Sequence, residues 1–419
     1  MDIMEFNPWW ETGDIEREIK LMKRRFLFET LARCLLRRQI DVIIGLRRVG
    51  KTVLMRHLID HLLTSGVNPR EIFYFPFDIE REDLSKIIKE YEEKILRDRI
   101  KNRRVYLFFD EIHKLRDWEN KIKILYDLNL NAKLILSGSS SLNIMKQGRE
   151  SLAGRAKFHY MPPLTFREFL MFKKEKIPSI EDFEIYKRKL GILLDEFAMR
   201  GFPETLRMNE REIKEYVREL VVERIIYRDI PESFRIEDIE IIKILVEYVF
   251  ENPGIVLNID ALSKDLGRHK KTIRNALNYL EWSFLIKRIS NIRGSFLAMS
   301  RKNKKAYPLH SCLVLTRNED KILETMIRSE TDACYYWRKN NREVDFILKK
   351  EKNIIPVEVK NKDKIDKEDV KGLLRFCSLF NVNKAYLINR EEDRTLTING
   401  KKIVIIPVMK FLLMSEIKK

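Results

Sequence analysis

The chain contains 419 residues, too many for a single hydrophobic core, and its composition (44% hydrophobic, 35% charged) is typical of a globular protein with a heavily charged surface. It has no apolar run near the roughly 18 residues that span a bilayer, and its first residues do not resemble a secretory signal, which speaks against membrane and secreted proteins. The net charge of +18 predicts a polyanionic partner, nucleic acid before a membrane, although a surface adapted to high temperature would give the same balance.

The four cysteines are scattered along the chain, without the C-x-x-C spacing of a zinc site. Their spacing also does not suit a disulfide framework, which is a feature of small secreted domains. We therefore expect a reduced, cytoplasmic protein.

The region before the first strand predicts one amphipathic helix, from Asp14 to Arg38, with Asp14 as its N-cap. A short apolar strand, Ile40 to Ile44, then leads into a loop that fits G-x-x-x-x-G-K-[ST], and a run with helical apolar spacing follows, Val53 to Leu63. Strand, glycine loop and helix in this order are the context that a phosphate-binding loop requires. The loop residues are Gly45, Leu46, Arg47, Arg48, Val49, Gly50, Lys51 and Thr52.

This loop predicts binding of ATP with Mg²⁺. Gly45 and Gly50 are expected to let the backbone curl so that its N–H groups converge on phosphate oxygens, while the following helix adds the positive end of its dipole. Lys51 is expected to reach the β- and γ-phosphates, and the Thr52 hydroxyl to bind Mg²⁺. The alternative is an accidental glycine turn before an amphipathic helix, which requires four fixed positions to match by chance in a chain with only 14 glycines.

The next hundred or so residues predict a parallel sheet. Uninterrupted apolar strands alternate with amphipathic helices, which is typical of a parallel sheet covered on both faces. The predicted strands are Glu71–Phe77 (ending at Asp78), Arg104–Glu111, Lys133–Gly138 and Ala156–Tyr160, and the predicted helices are Glu82–Arg99 and Asp117–Leu130.

Two carboxylates, Asp110 and Glu111, close the second of these strands. An aspartate at the end of a central strand beside the loop strand can hold Mg²⁺ through its water shell, and the adjacent glutamate can orient the attacking water and accept its proton. The alternative is an ordinary acidic turn. Ser137 and Ser139, at the end of the next strand, suit either a polar sensor of the γ-phosphate or simple turn residues.

Two arginines, Arg149 and Arg155, precede the last strand of this region. Either can stabilise the charge of a γ-phosphate, in cis or across a subunit boundary, but solvated surface arginines are commoner. Thr165 then caps a helix, with Glu168 at capping-box spacing. The chain beyond is predicted to be helical, with helices Glu181–Met199, Glu210–Tyr227 and Asp238–Phe250.

A change of pattern after Gly254 predicts a winged helix-turn-helix. A short helix, Asn258–Gly267, precedes a basic helix, Arg268–Leu280, and a strand, Phe284–Ile289. In that motif the second helix enters the major groove of DNA. The alternative is a helical module for packing or regulation whose basic face is only solvated.

The C-terminal part carries a second acidic constellation. Asp345 lies inside an apolar strand, where an ionised carboxylate is costly without a cation or a partner. On the next strand Glu358 and Lys360 alternate with valines and therefore share a face. Two carboxylates beside a lysine suit metal-assisted phosphodiester cleavage, in which the acids hold Mg²⁺ and the lysine positions water or stabilises charge. The alternative is an edge strand with a polar outer face and an ion pair.

The elements around this constellation support it. Glu324 lies on a preceding helix amid apolar neighbours. The predicted elements are helix Lys321–Ser329, strands Ala333–Arg338, Glu343–Leu348 and Ile354–Lys360, helix Val370–Phe380 and strand Lys384–Ile388, after a basic linker or wing, Arg301–Lys305.

Taken together, these residues resemble archaeal and bacterial P-loop ATPases of the AAA+ class that carry a C-terminal PD-(D/E)XK nuclease-like domain, over nearly the whole chain. The resemblance implies that Asp345, Glu358 and Lys360 correspond to the nuclease signature and Glu324 to its helical acid. The segment Ala306–His310 departs from the family because it lacks an aspartate shortly after the tyrosine. The matching segments are Asn7–Trp10, Gly45–Thr52, Phe109–Ile112, Ser137–Ser139, Gly154–Arg155, Pro163–Phe169, Gly201–Pro203, Arg228–Asp229, Arg342–Asp345 and Pro356–Lys360.

The expected fold is α/β: a P-loop NTPase parallel sheet (residues 1–175), a helical lid (176–235), a winged helix-turn-helix (236–300) and a restriction-endonuclease-like α/β domain (301–419). The expected function is a cytoplasmic Mg²⁺-dependent ATPase whose nucleotide state controls a DNA-binding C-terminal half that is a candidate nuclease. The alternative is a regulatory or signalling ATPase switch with a non-catalytic nuclease-like scaffold. A transporter or kinase is disfavoured because neither membrane spans nor an acceptor site is recognisable, and a homo-oligomer is compatible with the sequence.

Overall fold

The computed structural model describes residues 3–77, 83–128, 131–138, 151–234, 236, 238–292, 303–350 and 353–414. The chain divides into two compact units, Met1–Pro163 and Leu164–Lys419. Each unit is built around its own sheet, and the boundaries of the four domains expected from the sequence stay predictions. In the described ranges, we find no helix that combines the length and the apolar character needed to cross a membrane.

The first unit contains a sheet of five parallel strands, which confirms the predicted parallel sheet. Its order is β2-β3-β4-β1-β5. Every residue of β1, β3 and β4 is buried, as expected for strands that helices cover on both faces. The strands are β1 (Ile40–Ile44), β2 (Ile72–Pro76), β3 (Val105–Asp110), β4 (Ala132–Gly138) and β5 (Ala156–Tyr160).

The helices of this unit are mostly short. The described α-helices are α1 (Trp9–Thr12), α2 (Arg17–Leu21), α3 (Leu27–Cys34), α4 (Lys51–Thr64), α5 (Leu84–Tyr91) and α6 (Trp118–Leu128). Helix α5 continues as a π-helical turn to Leu96 and stops there, because Arg97 adopts a left-handed conformation (φ 52°). It therefore ends earlier than the predicted Arg99.

The position of β3 corrects one expectation about the loop strand. Strand β4 pairs with both β1 and β3, so the strand that ends in Asp110 does not lie beside β1. Chain order does not reveal this arrangement, because a parallel crossover can skip a position that a later strand fills. Asp110 nevertheless reaches the loop edge, since the carboxyl ends of parallel strands meet at one edge of a sheet.

The single helix predicted from Asp14 to Arg38 is wrong. Two short helices, α2 and α3, are separated by a segment that begins with extended backbone at Met22 (ψ 148°). Glu16, not Asp14, occupies the N-cap position, and the Asp14 carboxylate instead pairs with Lys20 (Nζ to Oδ2, 2.7 Å). The break allows the guanidinium of Arg25 to be buried, a tertiary requirement that the apolar spacing does not encode.

The N-terminal segment covers the edge strand β2. The Asn7 side chain donates to the Tyr74 carbonyl (2.9 Å) and accepts from the Tyr74 N–H (2.7 Å). The indole N–H groups of Trp9 and Trp10 both donate to the Ile72 carbonyl (3.1 and 2.9 Å). An edge strand exposes unpaired backbone groups, and these side chains satisfy them where no sixth strand is present among the described residues.

In the described residues, the second unit is organised around a nine-stranded mixed sheet with the order β13-β14-β12-β11-β10-β9-β7-β8-β6. Parallel pairing joins β11 to β12, β12 to β14 and β7 to β9. The strands are β6 (Ile255–Val256), β7 (Ile286–Asn291), β8 (Lys305–Pro308), β9 (Tyr335–Lys339), β10 (Arg342–Lys350), β11 (Asn353–Val359), β12 (Lys384–Asn389), β13 (Arg394–Ile398) and β14 (Lys401–Pro407).

Apolar side chains cover both faces of this sheet. Along β12, Tyr386 and Ile388 belong to one buried cluster, whereas Ala385 and Leu387 belong to another, and successive strand residues point to opposite faces. The described helices are α7 (Phe166–Phe172), α8 (Phe183–Met199), α9 (Glu210–Glu215), α10 (Ile230–Ser233), α11 (Ile239–Glu251), α12 (Ile259–Asp265), α13 (Lys270–Trp282), α14 (Glu319–Thr331), α15 (Lys371–Leu379) and α16 (Val408–Leu413).

Local signals located several of these helices correctly. The predicted capping box before α7 is confirmed, since Thr165 and Glu168 each bond the other's backbone N–H. Asp238 caps α11 through the Ile241 N–H. Helix α9 continues as π-helical turns to Asp229, and α13 begins at Lys270 with His269 as N-cap, two residues later than predicted.

Candidate functional site

The loop between β1 and α4 uses its two glycines for different reasons. Gly50 is the N-cap of α4 and has a left-handed backbone (φ 97°) that favours glycine. Gly45 has no such requirement. A Cβ at Gly45 would lie 2.3 Å from the Met161 carbonyl oxygen, and the Met161 N–H donates to the Ile44 carbonyl (2.8 Å). Gly45 is therefore needed for a close backbone approach, a requirement that the glycine spacing alone does not reveal.

The side chains of the loop divide into buried anchors and a central amine. Leu46 and Val49 are fully buried and hold the loop against the unit, whereas Arg47 and Arg48 are partly exposed. The Lys51 amine is buried and donates to the carbonyls of Gly45 (3.1 Å) and Leu46 (3.0 Å). The amine thus lies inside the curve of the loop, beside the N-terminus of α4, where anions are favoured.

Arg25 binds the loop through a hydrogen bond to the Val49 carbonyl, a contact that the sequence did not predict. Its guanidinium donates to the Val49 carbonyl (2.6 Å) and to the carbonyls of Pro162 (2.8 Å) and Pro163 (3.3 Å). Because Arg25 is buried, these carbonyls receive charge-assisted hydrogen bonds in a low-dielectric setting. Arg25 therefore ties the loop to the end of the first unit.

The buried carboxylate of Asp110 is the meeting point of this site. The Thr52 hydroxyl donates to its Oδ2 (2.6 Å), and the Tyr74 hydroxyl donates to the same oxygen (2.9 Å). The Ser137 hydroxyl donates to Oδ1. The structure therefore brings together Thr52 and Asp110, the two residues expected to serve Mg²⁺, and places Ser137 with them.

Tyr74 is a site residue that sequence reasoning missed, because its strand was interpreted only as an apolar run. Burial, together with the neighbouring Asp110 carboxylate, raises the pKa of Tyr74 well above its usual value, so the phenol remains a hydrogen-bond donor. Arg56 lies 4.0 Å from the Tyr74 ring centroid and fixes the ring from one side. The one available signal was an aromatic residue with a polar tip in a buried strand, since such a tip needs a partner.

Glu111 follows β3 in a left-handed conformation (φ 50°), which is uncommon for a residue with a side chain. Its backbone N–H donates to Asp110 Oδ1 (3.1 Å) and to the Ser137 hydroxyl (3.3 Å), and its Oε2 lies 3.4 Å from His113 Nδ1. Sparsely populated backbone conformations persist where surrounding contacts determine them, often at functional sites. Glu111 therefore follows Asp110 directly, but its backbone turns out of the strand.

Three residues expected to contact the γ-phosphate are not placed at the loop. Ser139 and Arg149 lie outside the described residues. Arg155 precedes β5 and pairs with Asp127 (Nε to Oδ1, 2.9 Å). Its carbonyl accepts from the Ile40 N–H, so it sits at the edge of the sheet where β1 begins, whereas the loop follows the end of β1. A contact in cis between Arg155 and a phosphate at the loop is therefore wrong.

The second unit brings together the predicted acidic residues at a bulge in β10. The pairing of β10 with β9 shifts register between Val344 and Ile347, so an extra residue is accommodated where Asp345 lies. The Val359 N–H donates to Asp345 Oδ2 (2.9 Å), and the Asp345 N–H donates to Glu358 Oε2 (3.3 Å). β-Bulges commonly redirect a side chain beside an active site, and here the two carboxylates meet across β10 and β11.

The electrostatics of this pair favour a proton or a cation. Burial raises the pKa of both carboxyl groups above their usual range. The Glu324 carboxylate raises the pKa of Asp345 further, and the Asp345 carboxylate does the same to the pKa of Glu358. Lys360 partly compensates, with its amine 2.7 Å from Glu358 Oε1, and Glu358 in turn raises the pKa of Lys360 despite burial. Asp345, Glu358 and Lys360 therefore lie together as predicted. Their two carboxylates are ligands of the kind that a hard cation such as Mg²⁺ accepts.

Lys305, Tyr307 and Glu343 extend this centre and were not predicted as part of it. The Tyr307 hydroxyl donates to Glu324 Oε1 (2.5 Å). Lys305 pairs with Glu343 and lies 3.8 Å from Glu324. Although burial alone would lower the pKa of Lys305, the surrounding carboxylates raise it. Tyr307 lies in the segment Ala306–His310, and it supplies the hydrogen bond to Glu324.

A third cluster of buried polar residues lies where β1 begins. The potential metal-ligand atoms of Cys34, Asp41 and His159 lie within 4.8 Å of one another. However, the Lys133 amine lies 2.5 Å from Asp41 Oδ2, and His159 Nε2 lies 2.6 Å from Asp41 Oδ1. Both carboxylate oxygens are thus already paired, and an ammonium group occupies the place where a metal ion would need to bind. We interpret this group as a structural charge cluster.

Family models match three segments of the chain. Residues 37–170 match an AAA domain. Residues 193–317 and 318–411 each match a domain of unknown function (DUF8612 and DUF4143, respectively). The first match contains the loop, Asp110 and Glu111, so this part of the chain is of the AAA-like P-loop ATPase class. The winged helix and the nuclease-like domain stay predictions.

The chain is also similar to proteins from an archaeon and a bacterium. It is 28% identical over 408 residues to "Uncharacterized protein MJ1544" of Methanocaldococcus jannaschii, which covers 89% of this chain and 88% of that protein. It is 24% identical over 338 residues to an uncharacterized protein of Haemophilus influenzae, with 76% and 82% covered. Among solved structures, C. elegans PCH-2 matches with a TM-score of 0.23 and 16% identity over 35% of this chain and 42% of that chain.

Tyr74→Phe removes one hydrogen bond from Asp110. We expect the Mg²⁺ concentration that half-saturates ATP hydrolysis to rise about tenfold, because a hydrogen bond to a charged group contributes roughly 1.5–3 kcal/mol. Tyr91→Phe is the matched control, since the Tyr91 hydroxyl donates to the Arg70 carbonyl (2.7 Å) away from Asp110. Equal losses of stability in both variants, with an unchanged Mg²⁺ requirement, would make Tyr74 purely structural.

Glu358→Gln tests the buried acidic pair. The raised pKa of Glu358 in the folded state means that its contribution to stability is present below the pKa of the unfolded carboxyl and is lost as pH rises through the folded pKa. In EDTA, we expect the wild type to lose on the order of 2 kcal/mol of unfolding free energy between about pH 5 and about pH 9, and the variant to lose much less.

Urea unfolding of the second unit at both pH values measures this difference. Glu391→Gln is the control, because Glu391 is an exposed carboxylate that pairs with Lys187 in the same unit. A wild type and a Glu358→Gln variant with the same pH dependence would contradict the raised pKa.

Proposed function

We propose that this protein is a Mg²⁺-dependent ATPase whose first unit binds and hydrolyses ATP. The observation that carries the proposal is the direct contact between Thr52 and Asp110 at the end of the loop. A hydroxyl and a carboxylate oxygen are ligands that Mg²⁺ accepts, and both come from elements that a phosphate-binding loop requires. When bound there, Mg²⁺ would supply positive charge to the phosphate oxygens.

The residues of this unit have separate proposed roles. Lys51 holds the β- and γ-phosphates with an amine that the loop already encloses. Thr52 and Asp110 hold the cation, with Asp110 oriented by Tyr74 and Ser137. Glu111 orients the attacking water and accepts its proton, and its left-handed backbone separates its carboxylate from that of Asp110.

We further propose that nucleotide state is transmitted to the rest of the chain through Arg25. Its guanidinium bonds a loop carbonyl, Val49, and the carbonyls of Pro162 and Pro163, with which the first unit ends. A nucleotide that rearranges the loop carbonyls therefore changes hydrogen bonds where the chain passes into the second unit. Such a coupling requires that the contacts of Arg25 differ between the nucleotide-bound and nucleotide-free states.

For the second unit we propose binding of DNA through α12 and α13. The helices are separated by a short turn, and β7 and β8 follow them in an antiparallel pair, as in a winged helix-turn-helix. Arg268 pairs with Asp238 (2.6 Å) and Lys270 with Asp260. Lys271 and Arg274 are exposed on α13 and are the cations we assign to DNA phosphates.

The acidic centre at Asp345 is the proposed place of DNA cleavage. Asp345 and Glu358 hold the metal ion, and Lys360 positions the attacking water or stabilises charge. One observation supports the alternative, a regulatory switch with a non-catalytic scaffold. Lys360 pairs with Glu358 and Lys305 with Glu343, and these pairs neutralise much of the negative charge of the centre without a metal ion. A homo-oligomer remains a prediction.

Lys51→Ala and Glu111→Gln test the ATPase proposal. We expect Lys51→Ala to abolish hydrolysis, and Glu111→Gln to lower kcat by about 10²- to 10⁴-fold with ATP binding retained, because only a proton acceptor is lost. The controls are Lys157→Ala and Glu93→Gln, which change exposed charges in the same unit. Phosphate release and fluorescent-ATP binding measure the two effects, and hydrolysis by Lys51→Ala at the wild-type rate would end the assignment of the loop.

Asp345→Ala separates the nuclease from the switch. Plasmid and branched DNA are incubated with wild type and variant in Mg²⁺ or Mn²⁺, and cleavage is followed on gels. We expect cleavage by the wild type and none by Asp345→Ala, because the pair of carboxylates that holds the metal is broken. The exposed Asp363 supplies the control variant, Asp363→Ala. Equal cutting by all three proteins, or no cutting by the wild type, would favour the switch.

A further inference from the structure

A basic groove of about 380 Å³ lies between α15 and the hairpin that joins β9 to β10. We define the basic groove by its four cations, Lys339 and Arg342 of the hairpin and Lys371 and Arg375 of α15, with Trp337 and Leu374 beneath them. All four cations are exposed, whereas Trp337 is 3% exposed. The groove thus combines an apolar surface with exposed charged side chains.

The backbone fixes where these cations stand. Lys339 and Arg342 are register partners at the end of the hairpin, and the two turn residues between them, Asn340 and Asn341, are both left-handed (φ 46° and 57°), which is the conformation of a tight two-residue hairpin turn. On α15, Lys371 and Arg375 are four residues apart and therefore share a helix face.

The helix and the hairpin strand are also locked together. A Cβ at Gly372 would lie 2.4 Å from the Glu343 carbonyl oxygen, so α15 begins in close contact with the backbone of β10. The two pairs of cations consequently face one groove because of backbone packing, not because of the choice of side-chain rotamers.

The charge of this groove is unbalanced. Lys371 pairs with Glu368. In the described part of the chain, no carboxylate pairs with Lys339, Arg342 or Arg375, and the nearby Glu343 is committed to Lys305 and Arg338. Like charges that converge on one cleft raise its potential and attract an anion.

The number and placement of the cations identify the kind of anion. Two of them stand on the hairpin and two on α15, so an anion that meets all four needs several negative charges along its length. A nucleic acid strand provides such a series, with one phosphate per about 3.4 Å of helix axis on each strand of duplex DNA. Trp337 belongs to the buried cluster on one face of the sheet, and Tyr307, the partner of Glu324, belongs to the cluster on the other, so the groove is a site separate from the acidic centre.

We propose that the basic groove binds the sugar-phosphate backbone of a nucleic acid strand. The inference rests on the proposed function of the second unit. It gives this unit a second DNA-binding surface in addition to the one proposed on α13. Because the aromatic floor is buried, it offers no face for base stacking, so the groove contacts phosphates and positions the strand without reading its sequence.

The test compares two double variants of equal net charge. Arg342→Gln with Arg375→Gln removes two cations of the groove. Arg211→Gln with Arg218→Gln removes two exposed arginines of the same unit that pair with Glu215 and Glu219. Binding of fluorescein-labelled single- and double-stranded oligonucleotides is measured by anisotropy across a range of NaCl concentrations, with circular dichroism as the check on folding.

We expect the groove variant to bind about tenfold more weakly and its plot of log K against log salt to be less steep by about one to two units, since each neutralised phosphate contributes a slope of about 0.7–0.9. The control variant should match the wild type. Arg342→Lys with Arg375→Lys should restore most of the salt slope, because phosphate contact requires charge more than bidentate geometry.

Three results would overturn the inference, and they differ from one another. If Lys271→Gln with Arg274→Gln abolishes binding while the groove variant binds like its control, DNA binding by α13 stands and the groove fails. If polyglutamate displaces the oligonucleotide as well as unlabelled DNA of equal charge does, the groove accepts any polyanion. If the wild type binds no nucleic acid, the proposed function of the second unit fails and the groove with it.

Discussion

A buried carboxylate is tolerated in a protein only when hydrogen bonds replace its lost hydration, and in this protein Asp110 imposes that constraint on the first unit. Its donors come from three other elements: Thr52 from α4, Tyr74 from β2 and Ser137 from β4. A displacement of any of these elements removes one of the hydrogen bonds that replace the hydration of the buried carboxylate. The N-terminal segment is drawn into the same arrangement, because Asn7 holds the backbone of Tyr74 on the edge strand.

The second unit manages buried charge differently. Lysines lie beside Glu358 and Glu324, the lysines lower the pKa of the nearby Asp345, and Tyr307 adds a hydrogen bond to Glu324. Removing one member of such a network is costly because the remaining charges stay buried. The same strand, β10, carries Asp345 at its bulge and Arg342 at its start. Because successive strand residues alternate between faces, the acidic centre and the basic groove lie on different faces of the sheet.

The sequence predicted the loop, the parallel strands and the trio of Asp345, Glu358 and Lys360 because each is a local pattern. It failed for the helix Asp14–Arg38, where apolar spacing continues through a break after which Arg25 is buried. It also failed to predict the place of β3 in the sheet. The strands β1 and β3 both contribute to the site, but β4 lies between them. Tyr74 and Lys305 were missed for a related reason: a lone polar residue in an apolar strand does not say which group it will meet.

The amino-acid sequence by itself therefore determined the kinds of residue available for phosphate and cation chemistry and the elements that carry them, because helix and strand periodicities and glycine spacing are encoded over short stretches. Only the tertiary structure decided which groups meet. Crossovers between strands placed Tyr74 and Ser137 on Asp110, and the approach of the Met161 carbonyl explained Gly45. Such contacts join residues far apart in the chain, and they are selected by packing and by the need to satisfy every buried polar group.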